Sequence, residues 1–196
     1  AFPGLQDKAA EGVRVALQEL PSAAPRLNPS SDGAHTSVFV AGERGQAKAI
    51  KAQYKLVEAS SLIPSHDPET FTPNPGYNAK WQERAYHRDK TEQSRVEEIA
   101  RKLRPELIAN TNPDAVNGAP IVLPSGVVMG GNKRTMSSQL AYRKGNAGHL
   151  RTYLADNAHQ FGFKPEDVRA LVNPVLVREI NPEDKSDARM GLLSRQ

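Results

Sequence analysis

The residues best equipped for chemistry lie together at Gly130-Gly131-Asn132-Lys133-Arg134-Thr135. Paired glycines let the backbone turn sharply and leave room beside it. If a helix opens there, its first N–H groups lack partners and carry the positive end of the helix dipole. A lysine point charge and an arginine fork beside such donors make an anion site, most simply for phosphate. The backbone amides of Asn132 and Lys133 would add neutral donors. A strand-to-helix turn with solvated charges has the same composition, so spacing alone leaves the two readings level.

Two other stretches carry chemical side chains. Ser65-His66-Asp67 sits between Pro64 and Pro68. Adjacent residues do not assemble a catalytic triad, which draws its members from separated positions; a Pro-flanked Asx turn is the simpler reading. Further on, Arg84, His87, Arg88 and Lys90 are interleaved with Trp81 and Tyr86. Cations screen phosphates and aromatic rings stack bases, so this arm suits a nucleotide or nucleic acid as well as it suits a solvated loop. The five histidines form neither a His-Glu-x-x-His pattern nor an i,i+4 pair, and no dedicated zinc site is expected.

The elements that would position these residues can be read from periodicity. Apolar residues at helical spacing over 6–20 predict an N-terminal helix, and the Pro/Ser/Asn-rich stretch to about Thr36 predicts a linker. Ser37–Val40 reads as a short strand closed by the turn Gly42–Gly45. Ile50, Ala52, Tyr54 and Leu56 then alternate with Lys51, Gln53 and Lys55, the pattern of a strand with one wet face. From Pro64 to Lys80 an irregular surface loop is expected, of the length that often carries function. Val96, Ile99, Ala100 and Leu103 mark an amphipathic helix led by Thr91. Strands at Pro120–Leu123 and Val127–Met129 form a hairpin feeding the Gly131 helix. Leu150 to Phe161 and Pro165 to Leu171 read as two more helices, Val175–Val177 as a closing strand, and residues 181–196 as a polar tail. The organisation expected is an extension over 1–36, a domain over 37–180 and that tail. The fold class expected is α+β, a small mixed sheet with helices packed on one side.

Composition bounds the function. The 196 residues suffice for one domain with extensions, and 26 basic against 22 acidic side chains give a net charge of only +4. An anionic partner is compatible with this, but the placement of charge matters more than its sum. No apolar run approaches the roughly 18 residues of a membrane span, and no leader is visible. The chain has no cysteine, which removes disulfides, thiolate nucleophiles and thiolate metal sites. A reducing cytoplasm is the expected location.

Taken together, Leu62-Ile63-Pro64-Ser65-His66-Asp67, Trp81-Gln82-Glu83-Arg84 with Arg88, the Val96–Leu103 helix, Gly118–Val122 and Gly126–Arg134 resemble the ParB/sulfiredoxin superfamily. The likeness is to the DdrB-like ParB domain of phage and mobile-element proteins, over roughly Val38 to Ile180. The resemblance implies a pocket for a nucleoside triphosphate, CTP or ATP, with Mg²⁺ as a candidate companion. Its phosphate-binding residues would be Gly130, Gly131, Asn132, Lys133, Arg134 and Thr135, faced by Gln82, Arg84 and Arg88. Ser65, His66 and Asp67 would stand at the pocket mouth, where His66 or Asp67 is a candidate ligand for water or metal. Sulfiredoxins carry a cysteine where this chain has Asn132, so sulfinic-acid reduction is excluded. Partition ParB proteins follow the pocket with a helix-turn-helix, which the residues after Arg134 do not resemble.

Three functions are compatible with these residues. The leading one is a nucleotide-binding module within a larger polypeptide. The second is a phosphoryl-transfer enzyme, an NTPase, kinase or metal-dependent nuclease, drawing on Asp67, Glu83 or Asp89 (or Glu58) for its carboxylate. The third is a DNA-binding module without nucleotide chemistry.

Overall fold

The computed structural model describes residues 32–41, 47–81 and 84–181. The helix expected over 6–20, the turn Gly42–Gly45, Gln82, Glu83 and the tail beyond Asn181 lie outside them.

Among the described residues five strands form one mixed sheet in the order β1-β2-β5-β3-β4. Strands β1 (Asp32–Ala41) and β2 (Ala47–Glu58) make a long antiparallel hairpin. β2 pairs antiparallel with β5 (Pro174–Glu179), and β5 runs parallel to β3 (Ile121–Val122), which turns back into β4 (Val128–Gly130). The last of these strands in sequence is thus central in space. β1 begins at Asp32 rather than Ser37, because the segment read as linker continues the pairing, with Asp32 opposite Lys55.

The predicted alternation along β2 holds on one face: Ile50, Ala52, Tyr54 and Leu56 are buried. The other face is not uniformly wet. Lys51 is exposed, but Lys55 is buried with its ammonium against Asp32, and Val57 is buried among Val122, Val128, Val175 and Val177. Pairing with β5 covers the far half of the strand, so polarity there reports an ion pair rather than solvent.

The helices supply the main core. α1 (Lys90–Arg101) is capped by the Asp89 carboxylate, which accepts the Glu92 N–H. α2 (Pro105–Ile108) is a single turn opened by proline. α3 (Asn132–Arg143) is followed by α4 (Gly148–Asn157) and α5 (Pro165–Arg169). Val96 and Ala100 of α1, Met136 and Leu140 of α3, and Leu150 and Leu154 of α4 pack with Tyr54, Leu56 and Leu176 of the sheet. Burying side chains of this size contributes about 1.5–3 kcal/mol each. This is an α+β domain, as expected.

The stretch 64–80 departs from an irregular surface loop. Phe71 and Tyr77 are buried within it, and Ser65 and His66 are as inaccessible as the core. The Asp67 carboxylate accepts the N–H groups of Glu69 and Thr70, and Asn74 accepts that of Gly76. Side-chain caps of this kind replace the ladder bonds that a loop lacks.

Candidate functional site

The hairpin β3–β4 delivers the chain to Gly131, whose φ of 83° is left-handed. A side chain there would be strained, and its Cβ would lie 2.8 Å from the Arg134 guanidinium. α3 starts at the next residue. The Thr135 N–H and hydroxyl both return to the Gly131 carbonyl. The N–H groups of Asn132, Lys133 and Arg134 have no acceptor among the described residues. The open helix start predicted from the glycines is therefore present.

Its side chains divide the work differently from the expectation. Asn132 is buried and turned inward: its oxygen accepts the Ser65 N–H at 2.8 Å and its nitrogen donates to the Tyr77 hydroxyl at 3.3 Å. It straps the 64–80 loop to the helix start. The Lys133 ammonium lies 2.6 Å from the Glu92 carboxylate. Arg95 reaches the same carboxylate at 2.6 Å and Arg84 approaches it at 3.9 Å. The Lys133 contact, with help from Arg95 and Arg84, holds the Glu92 carboxyl below its ordinary range in spite of burial. Three cations thus converge on one carboxylate.

Arg134 does not join them. Its guanidinium folds back over Gly131 and donates to the carbonyls of Gly118 and Ala115. Burial, together with the neighbouring Arg178, lowers its pKa to about 10. Arg178 is fully buried in β5 and donates to the carbonyls of Ala119, Asn112, Asp114 and Asn117. Between them the two arginines pin the 112–119 segment, and with it the hairpin that presents Gly131. Sequence reading missed Arg178. The strand expected at Val175–Val177 runs on to Glu179 and so includes Arg178.

Ser65, His66, Tyr77, Arg84 and His87 line a cavity of about 150 Å³, tied to the helix start through the Asn132 contacts with Ser65 and Tyr77. His66 Nδ1 shares a hydrogen bond with the Ser65 hydroxyl at 2.9 Å, and its Nε2 shares one with His87 Nδ1 at 3.1 Å. Burial disfavours the imidazolium, and His87 adds repulsion, so the His66 pKa falls to about 4. Ser65 and His66 therefore belong to the site, joined to a residue the sequence reading had placed in a separate basic arm. Asp67 faces the opposite way: one oxygen caps its turn and the other meets Arg143 at 3.4 Å, beside a larger cleft of about 370 Å³ that also includes His66, Gln139 and Tyr142.

A family model described as the ddrB-like ParB superfamily domain matches residues 45–181. The chain belongs to that family. The match runs from the start of β2 to the end of β5, so it takes in the whole site. Neither a curated protein nor a solved structure matches the chain.

In this ddrB-like ParB domain three of the four candidate carboxylates are already engaged. Asp89 caps α1, Asp67 caps its turn, and Glu58 accepts the N–H groups of Val172 and Asn173. Glu83 and Gln82 are outside the described residues, and Arg88 is exposed. Among the described residues no group of three or more His, Asp or Glu side chains is placed to hold a metal ion. Among them, too, no helix is long and apolar enough to cross a membrane. The geometry presents a concavity walled by Arg84 and by the imidazoles of His66 and His87.

Proposed function

We propose that the domain binds a nucleoside triphosphate, CTP or ATP, with its phosphates directed at Lys133, Arg84 and the first N–H groups of α3. One observation carries this reading: Lys133, Arg84 and Arg95 share a single carboxylate, Glu92, beside an open helix start. Cations in excess over their internal partners, next to unpaired N–H donors, gain from an anion that completes their coordination. Asn132 acts behind the site, fixing the loop to the helix. Mg²⁺ would accompany the nucleotide through phosphate oxygens rather than through a protein cage.

Binding is favoured over phosphoryl transfer because Asp67, Asp89 and Glu58 all hold backbone amides. Isothermal titration with CTP, ATP and inorganic tripolyphosphate tests the proposal. Lys133→Ala is expected to weaken binding about tenfold or more, the loss of one charge-assisted contact. Absence of binding by all three to folded protein would remove the reading.

A further inference from the structure

We infer that anion binding at this site is proton-linked: the His66–His87 pair takes up one proton as a polyphosphate enters the cavity. The inference rests on the phosphate-binding reading above and adds a regulation to it.

The geometry of the pair sets the number of protons. The two rings stack with centroids 5.4 Å apart and share one N···N hydrogen bond, while the other His66 nitrogen faces the Ser65 hydroxyl. In the uncharged pair one proton occupies that N···N contact. A single added proton keeps it: the His87 Nδ1–H donates to His66 Nε2, and His66 Nδ1–H donates to the Ser65 oxygen. A second would set two N–H groups against each other. The positive charge then rests mainly on His87, the exposed member, which lines the cavity.

Before an anion arrives, the described surroundings of the pair are mainly cationic. Arg84 lines the same cavity and shares Glu92 with Lys133 and Arg95. The edge of Tyr86 packs on His66 at 5.2 Å, and Tyr77 closes another wall. The carboxylates nearest in sequence, Asp67 and Asp89, are engaged in their caps, and Asp67 also meets Arg143. Among the described residues the nearby fixed charge is thus mainly positive. A polyphosphate reverses it, and opposite charge within a few ångströms raises an imidazole's proton affinity. Linkage then requires tighter binding at lower pH, by up to about tenfold per pH unit between the free and bound protonation ranges.

The test is calorimetric titration of tripolyphosphate, CTP and ATP at pH 7 in two buffers of different ionisation enthalpy. It is run on the wild type and on His87→Gln, a surface change that leaves the core intact. The ligand's own titration contributes equally to both. Wild type is expected to take up more protons than the variant. Equal proton counts would overturn this inference and leave phosphate binding standing, whereas binding by none of the ligands would remove both. If His87→Gln no longer binds, imidazole ¹⁵N shifts of the wild type decide. Movement of the pair toward imidazolium on saturation supports the linkage, and unmoved neutral shifts refute it.

Discussion

His66 should make the ligand-free domain sensitive to mild acid. Its imidazole is held to a pKa of about 4 by burial and by His87, whereas an unfolded chain titrates it near 6.5. Between those values the unfolded state binds more protons, so stability falls as pH falls from 6.5 towards 4. At about 1.4 kcal/mol per pH unit of displacement the full effect is about 3 kcal/mol, and partial solvation through His87 brings it to about 2–3 kcal/mol. Urea denaturation at half-unit steps from pH 7 to pH 4 would measure it. The control is His66→Gln, which keeps a side chain able to hydrogen-bond with Ser65 and His87 but has no proton to gain. Asp67 and Glu92, whose carboxyls are also held low, lose their contributions at the acid end in both proteins and cancel. The expected result is a wild-type curve that drops by about 2–3 kcal/mol more than the variant's. Parallel curves would show that His66 is solvated in the native state, and the burial argument would fail.

Other outcomes follow from the same contacts. Glu92→Gln removes the carboxylate shared by Lys133, Arg95 and Arg84, so tripolyphosphate binding measured by calorimetry should tighten several-fold; weaker binding would contradict the excess-cation argument. Gly131→Ala places a Cβ in left-handed backbone against the Arg134 guanidinium, with an expected loss of about 1–3 kcal/mol in denaturant melts. Arg178→Leu leaves the buried Ala119 carbonyl without its donor and takes a donor from the carbonyls of Asn112, Asp114 and Asn117, and should destabilise the fold by about 1–3 kcal/mol. A change below about 1 kcal/mol would mean that water replaces the guanidinium.

What could be read from the chain was whatever depends on neighbours in sequence. The helix start at Gly131 follows from glycine conformational freedom and a run of helix formers, and the Asp67 turn from an Asp-Pro pair. The face of α1 came directly from its apolar spacing. What escaped depends on partners brought in from afar. His66 meets His87 across 21 positions, and nothing local announces that pairing. Arg134 looked like a phosphate clamp because it follows Lys133, yet one helical step rotates it from Glu92 toward the Gly118 carbonyl. Lys55 matched a solvent-facing register until β5 covered its side of the sheet. In each case the residue type was informative and its target was set by topology.

The position of Arg178 bears on how the site is assembled. Chains grow from the N-terminus, so β2, the hairpin and the start of α3 are made well before β5. Yet β5 lies between β2 and β3, and its arginine gathers the carbonyls on which the hairpin approach rests. Until that strand slots in, β2 and β3 have no shared neighbour and the Gly131 corner is held only by the local contacts of Asn132 and Arg134. A chain interrupted before Arg178 would carry Gly131, Lys133 and Glu92 and still lack the strand that joins β2 to β3. Among the described strands, the last one made is the keystone of the sheet.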